Sequence, residues 1–319
     1  MIFISIIIRA LNEDHHIGRL IDGISRQVLP VGVSFEVILV DSGSTDSTVA
    51  IAKSMGAKVV HIKKDDFSFG RALNIGCEAA KGDVLLFASA HVYPLYTDWL
   101  ERMIKPFLNT KVALVYGRQE GNEFTRFSEH QVFTQWFPAK SNYKQETPFC
   151  NNANCAIRKD LWNGQPFNEL LTGLEDLDWA EKIMSKGFTI VYESEASIIH
   201  VHEETSINIR NRYEREAIAL KRIVPHVHFN SFDFIHHLFR SCRKDSIAAI
   251  KQGVFWKEIR GILDFRFMQY SGTYRGHNQK GEVSKELKSR FYYPRSEKKL
   301  KGSDKKESDQ KQRKIDYAK

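Results

Sequence analysis

Cysteine is scarce in this chain of 319 residues: the four present, Cys77, Cys150, Cys155 and Cys242, include no C-x-x-C pair. That excludes a disulfide-stapled miniprotein and a zinc ribbon, and it points to a reducing compartment. Long apolar runs are absent too. None approaches the ~18 to 20 residues that a membrane-spanning helix requires, and the opening MIFISIIIRALNE has neither a basic leader nor a small-residue cleavage site. The expectation is a cytoplasmic protein without a span. Excess charge is small and localised: residues 295–319 carry ten Lys or Arg against five Asp or Glu, which supplies +5 of the net +8. A nucleic-acid partner is not expected, because that tail is its only support and no aromatic-basic RNA motif accompanies it. What is present, 42% hydrophobic and 27% charged residues, suffices for one large or two modest domains with a sizeable core.

The first half alternates strand and helix patterns. An apolar strand Phe3 to Ile8 precedes an amphipathic helix from Asp14 to Gln27, and a strand Phe35 to Val40 leads into the turn Asp41-Ser42-Gly43-Ser44-Thr45-Asp46. A helix then runs to Met55 with Gly56 as its left-handed cap, followed by a strand Lys58 to Ile62, a helix Gly70 to Lys81 and a strand Val84 to Ala88. Uninterrupted apolar strands between helices imply an α/β fold with a doubly wound, mostly parallel sheet. Ligands in such sheets bind beyond the carboxyl ends of the strands, so Arg9 to Glu13, Asp41 to Asp46 and Ser89 to His91 are the segments to watch. Ile157 to Trp162 reads as a helix start. Phe232 to Arg275 is helical and rich in Phe, Ile, His, Lys and Arg. The chain therefore divides into a catalytic unit at 1–225, a helical appendage at 226–294 and a charged flexible tail at 295–319.

The ordered segments SIIIRALNE, VILVDSGSTDST, RALNIGCEAAKGDVLLFASAH and GLEDLDWAEKIMSKGF together resemble a family 2 glycosyltransferase of the GT-A fold, over roughly residues 2 to 215. The likeness is to the bacterial surface-polysaccharide, rhamnosyltransferase-like type. It implies an inverting hexosyl- or deoxyhexosyl-transferase that takes a nucleotide-sugar donor and a glycan or lipid-linked acceptor. It assigns Asp41 to the nucleotide base, where a carboxylate can accept from an imide N–H or a ribose hydroxyl; the alternative is that Asp41 only caps its turn. Arg9, Asn12 and Glu13 follow strand one, where Arg9 and Glu13 either pair with each other or contact the nucleotide. Arg71 and Asn74 fall in a segment resembling the donor-pocket wall, with a solvated helix face as the plain alternative for Arg71.

Glu175 and Asp176 open a helix whose apolar positions Leu177, Ala180, Ile183 and Met184 keep helical spacing, which places both acids at its positive end. That favours their ionised form unless burial opposes it. The resemblance makes Asp176 the general base and Glu175 its orienting partner, while Asp178 pairs with Lys182 at i, i+4. Ser89-Ala90-His91 departs from the family's Asp-x-Asp. No carboxylate stands there for a divalent cation, so His91 is the candidate ligand; imidazole suits Mn better than Mg. His200 and His202 lie on one side of the predicted strand Thr189 to His202, and either one completes the metal site. The departure also admits a non-catalytic adaptor that keeps the scaffold without its chemistry. Phe149-Cys150-Asn151-Asn152-Ala153-Asn154-Cys155 resembles an acceptor-side loop. The aromatics Phe232, Phe234, Phe239, Phe255, Trp256 and Phe265 either lie on an anionic membrane surface, at the inner face of the cytoplasmic membrane, or pack against the catalytic unit.

Overall fold

The computed structural model describes residues 2–281, 283–292 and 313–317. Its elements in chain order are β1 (Ile2–Ala10), α1 (Asp14–Ser25), β2 (Val33–Asp41), α2 (Thr48–Ser54), β3 (Lys58–His61), α3 (Phe69–Ala79), β4 (Val84–Ser89), β5 (Val92–Pro94), α4 (Trp99–Ile104) and β6 (Val112–Glu120). There follow α5 (Phe127–Trp136), β7 (Asn154–Arg158), α6 (Lys159–Gly164), α7 (Glu175–Ser185), β8 (Thr189–His200), α8 (Ser206–Ile223), α9 (Ser231–Lys251), α10 (Phe255–His277) and α11 (Lys285–Tyr292).

One sheet runs in the order β3-β2-β1-β4-β7-β6-β8-β5. The pairs β2/β3, β1/β2, β1/β4 and β6/β8 are parallel, and β7 joins the two parallel parts by running antiparallel to β4 and β6. The helix start expected at Ile157 is therefore corrected. Asn154–Arg158 is buried on both faces between two strands, and helix begins only at Lys159. The short edge strand β5 is a further element the pattern did not show.

Period-two alternation builds two cores. Ile4, Ile6 and Ile8 of β1 face one side, where α1 and α4 contribute Ile17, Leu20, Trp99 and Met103. Ile7 faces the other, with Leu73 and Cys77 of α3 and Trp179 and Ile183 of α7. Gly56 adopts φ +85° after α2, as its place in the sequence suggested. All four cysteines are free, and Cys77, Cys150 and Cys155 are buried as small apolar groups.

The helices beyond residue 225 do not stand apart from the sheet domain. Arg266 of α10 pairs with Asp245 of α9 at 2.7 Å, both buried, and donates to the Ser128 carbonyl of α5. Arg126 reaches Asp264 at 2.7 Å. α8 and α10 approach so closely that a Cβ on Gly272 would lie 2.3 Å from the Arg210 carbonyl oxygen, and one on Gly276 2.4 Å from that of Glu214. Phe265 is buried here, whereas Phe232, Phe239 and Trp256 are exposed. Most of the expected flexible tail lies outside the described residues. At 313–317, however, the chain is docked rather than solvated: the Ile315 N–H donates to Leu95 O, Arg313 pairs with Asp98 at 2.7 Å, and Tyr317 packs on Tyr93. Among the described residues, no helix is long and apolar enough to cross a membrane.

The close approach of α8 and α10 is testable. Gly272→Ala must separate two backbones and is expected to cost about 1–3 kcal/mol of stability, read as a lower denaturant midpoint. Gly261→Ala on the same helix meets only a carboxylate oxygen at 4.0 Å and should be neutral or stabilising. Equal effects of the two substitutions would refute the packing argument.

Candidate functional site

Strand registers gather the site. Arg9 lies opposite Ser89 and Ala10 opposite Asp41, so the carboxyl ends of β1, β2 and β4 are level. β7 begins with Asn154 opposite Ala88, which brings the preceding Asn152 to the same edge. His200, at the end of β8, pairs with Val92 and so sits beside His91.

Two groups of side chains occupy this edge. In the first, Arg9 pairs with Glu175 at 3.4 Å rather than with Glu13, and the Asn152 amide also reaches Glu175. Asp176 accepts from the Asn152 N–H at 2.9 Å and the Leu177 N–H at 2.8 Å. Burial is the strongest influence on Asp176, and with the neighbouring charge of Glu175 it raises the pKa to about 7 despite those hydrogen bonds and Arg9. Burial therefore does oppose the helix-end placement. Leu174, directly before α7, has φ +55°, an unfavourable conformation for a branched side chain, and it turns the acids into the site. Arg215 of α8 lies 4.5 Å over the Phe69 ring, and Arg9 lies 4.7 Å from the same ring.

The second group is imidazole. His91 Nδ1 donates to Glu13 at 2.9 Å, His200 Nδ1 to Gln119 at 2.7 Å, and His202 Nδ1 to Glu129 at 2.6 Å. The Nε2 atoms of His200 and His202 are 2.9 Å apart. One ring nitrogen of each of the three lies within 4.8 Å of the others. For His91, burial acts most strongly and lowers the pKa, yet the charge and hydrogen bond of Glu13 raise it overall. Burial, reinforced by His202 and His91, drives His200 well below its ordinary value, so it is neutral and has a lone pair to offer. Glu129, although buried, is held far below the carboxylate range by Arg212 and His202. Three converging imidazoles with an acceptor behind each ring fit a divalent cation. Arg9 joins the two groups: its charge is felt by Glu175 and Asp176 on one side and by His91 on the other.

The remaining candidates are placed otherwise. Asp41 accepts from Gly43 N–H, Ser44 N–H and His61 Nδ1; burial, its largest single influence, raises its pKa, but those bonds together hold it low. It thus caps its turn. Asn12 is at φ +55°, and its side-chain oxygen accepts from Thr45 N–H. Ser89 stands at the tip of β4, level with Arg9. Arg71 pairs with Glu169 at 3.1 Å. Asn74 is corrected as a donor contact: its amide donates to Phe167 O and Glu169 and accepts from Trp162 Nε1 and Phe167 N–H, so it pins the 162–169 segment with nothing left for a ligand. Asp178 pairs with Lys182 at 2.7 Å, as its spacing implied.

Comparison with known proteins bears on this arrangement directly. The glycosyl transferase family 2 model matches residues 5–163, which run from within β1 through β7 and include the Ser89-Ala90-His91 segment. The chain belongs to glycosyl transferase family 2. It is 28% identical over 199 residues to the glycosyltransferase AglE of Haloferax volcanii, covering 60% of this chain and 64% of the relative. It is 25% identical over 224 residues to the O-antigen chain rhamnosyltransferase RfbN of Salmonella typhimurium, covering 66% and 70%. The matches thus span about two thirds of these relatives. The mannosyltransferase PcManGT of Pyrobaculum calidifontis, solved with GDP-Man and Mn2+, superimposes with a TM-score of 0.59 over 86% of each chain at 16% identity. That agreement is one of fold, and the fold of this family 2 chain is GT-A, with helices added at the carboxyl end.

Gln119, Glu129, Arg212 and Arg215 were not legible as site residues. Glu129 sits in the mixed polar and aromatic helical stretch FSEHQVFTQW, and the arginines of IRNRYERE look like a solvated helix face. Only tertiary packing brings Gln119 of β6 to His200, and Glu129 of α5 and Arg212 of α8 to one another beside His202.

A buried acid whose folded pKa is about 7 binds its proton more tightly than the unfolded chain does, so stability falls as pH rises from about 4 to about 7 and stays lost above. Asp176→Asn lacks that loss. Its melting temperature should exceed the parent's by more at pH 8 than at pH 4; a difference independent of pH would reject the raised pKa.

Proposed function

We propose that this chain is an inverting glycosyltransferase that moves a hexosyl or deoxyhexosyl group from a nucleotide-sugar donor to a hydroxyl of a glycan or lipid-linked acceptor, in surface polysaccharide biosynthesis. The observation that carries it is Asp176: a buried acid at a helix mouth, poised at about 7, beside an asparagine and an arginine. A base tuned near neutrality takes a hydroxyl proton most effectively. Asn152 has a buried side-chain oxygen without a partner, suited to orienting the acceptor hydroxyl, and Glu175 keeps Arg9 in place. Arg9 and Arg215 face the negative charge that grows on the departing nucleoside diphosphate. Attack from the opposite face of the anomeric carbon inverts its configuration. When bound, a divalent cation supplies further neutralisation of the diphosphate, with Mn favoured over Mg at imidazole ligands, and His91 with His200 or His202 would hold it. Arg9, Asn12, Glu13, Asp41 and Ser89 border the donor side of this reading. The affinity with an O-antigen rhamnosyltransferase supports the polysaccharide role.

A panel of nucleotide sugars tests the reaction. The parent should transfer one of them with inversion, seen by NMR of the product anomer, with kcat/KM rising through about pH 7. Asp176→Asn should keep donor binding, measured by thermal shift, while kcat falls by about 10²- to 10⁴-fold. Unimpaired turnover in that variant rejects the base. Nucleotide binding by a parent that turns over no sugar rejects the enzyme in favour of the adaptor.

The acceptor's setting is proposed to be the inner face of the cytoplasmic membrane. Phe232 and Phe239 are each 74% exposed and Trp256 is 88% exposed, with Arg240, Arg243, Lys251 and Lys257 exposed around them. Apolar side chains ringed by cations suit an anionic lipid surface. The full chain should float with vesicles containing anionic lipid, less so in high salt. Phe239→Ser combined with Trp256→Ser should abolish flotation, and unchanged flotation of the double variant would refute the contact.

A further inference from the structure

We propose that His91, His200 and His202 together form a single three-imidazole metal centre, built to take a borderline first-row cation such as Mn2+, Co2+ or Zn2+ and to refuse Mg2+. The inference rests on the transferase reading above and deepens it, because it makes both later histidines ligands and names the residues that aim all three.

Each ring is fixed from behind. With Nδ1 of His91 donating to Glu13, of His200 to Gln119 and of His202 to Glu129, the Nε2 atoms are left to point at a common space. Nε2 of His202 lies 2.9 Å from Nε2 of His200, and the His91 ring stacks on that of His200 with centroids 5.1 Å apart. Gln119 is itself oriented, since its amide nitrogen donates to Asn151 at 3.0 Å, leaving its oxygen for the histidine. The backbone adds a further tie: the Val201 N–H donates to the His91 carbonyl at 3.0 Å, so the two ligand-bearing segments move together. A competing carboxylate set, Glu129, His202 and Glu204, also converges. It is already neutralised, for Arg212 pairs with Glu129 at 2.6 Å and with Glu204 at 2.7 Å. A cation there would have to displace a buried guanidinium.

The donor set decides the ion. Three neutral nitrogens suit Mn2+, Co2+ and Zn2+ in rising order of affinity up to the later metals, whereas Mg2+ demands oxygen ligands and gives up its water reluctantly. A carboxylate ligand would cancel part of the cation's charge. Imidazoles cancel none, so the full double charge is presented to an incoming diphosphate, with the positions not taken by histidine open to it.

The untagged full chain, freed of metal with a chelator and dialysed, is titrated with Co2+ and followed by visible absorption, and in parallel with Mn2+ and Mg2+ by calorimetry. The expected result is one site per chain with cobalt ligand-field bands, displaced by Zn2+, and no heat with Mg2+ at concentrations that saturate Mn2+. His91→Ala, His200→Ala and His202→Ala should each weaken Co2+ binding by tenfold or more. Gln119→Leu, which touches no ligand position, should weaken it by about 10- to 100-fold and alter the band shape, and Gln119→Glu should restore it. Folding of each variant is checked by circular dichroism, and for any that fails to fold, the Mg2+ arm and the Gln119 pair still decide. Absence of Co2+ binding, equal affinity for Mg2+, or a spectrum unmoved by loss of His202 would overturn the centre. The two proposals fail separately. A chain that binds Co2+ through these three residues yet transfers no sugar leaves the centre standing and removes the transferase; full transfer in chelator, with the metal titration as expected, shows the centre present and the cation unnecessary for the reaction proposed.

Discussion

Two carboxylates buried side by side at the mouth of α7 would repel each other and lose most of their solvation, and one guanidinium makes the arrangement tolerable. Arg9 is the one charged residue of β1, and its pairing with Glu175 couples β1 to α7 across the sheet edge. Burial, opposed by the charges of Glu175 and Asp176, lowers the pKa of Arg9 itself, so the buried cation depends on the acids it serves. With Glu175 engaged in that pair and Asp176 held by two backbone N–H groups, the proton affinity of Asp176 is left to its desolvated surroundings. The rest of the site is arranged around this constraint: β7 must run antiparallel for Asn152 to reach Asp176, and Leu174 must accept a left-handed backbone for the acids to turn inward.

The imidazole cluster shows the same economy with opposite sign. Where Asp-x-Asp would place carboxylates, this chain places imidazole rings, with Glu13 and Glu129 one layer behind. Arg212 balances Glu129 and Glu204, so the layer is not an unpaired acidic patch. Charge has been moved outward by the length of a histidine ring. The close contact of α8 with α10 matters here because α8 carries both Arg212 and Arg215, and the helices beyond residue 225 thereby brace the site.

Much of the first half was legible because its physics is local. The apolar runs of β1, β2 and β4, the Gly56 cap and the Asp178–Lys182 pair follow from alternation, backbone conformation and helical spacing. Glu175 and Asp176 were readable as helix-opening acids. β7 was not, since a five-residue apolar stretch followed at once by a helix has no periodicity of its own to distinguish it. From the sequence, Arg9 and Glu13 either paired with each other or contacted the nucleotide; the pairing of Arg9 with Glu175 was not legible, because Glu175 arrives from a different element.

The sequence by itself determined which residue types stand at the ends of the strands, and so the family, the fold class and the acids and imidazoles available for chemistry. Tertiary structure decided their partners: Glu13 behind His91, Gln119 behind His200, Glu129 behind His202, and Asn74 committed to the 162–169 segment rather than to a ligand. The reason is that hydrogen bonding and desolvation depend on what lies within a few ångströms in space. Residues 83 positions apart, such as Arg212 and Glu129, become neighbours only when the sheet and its helices close around them.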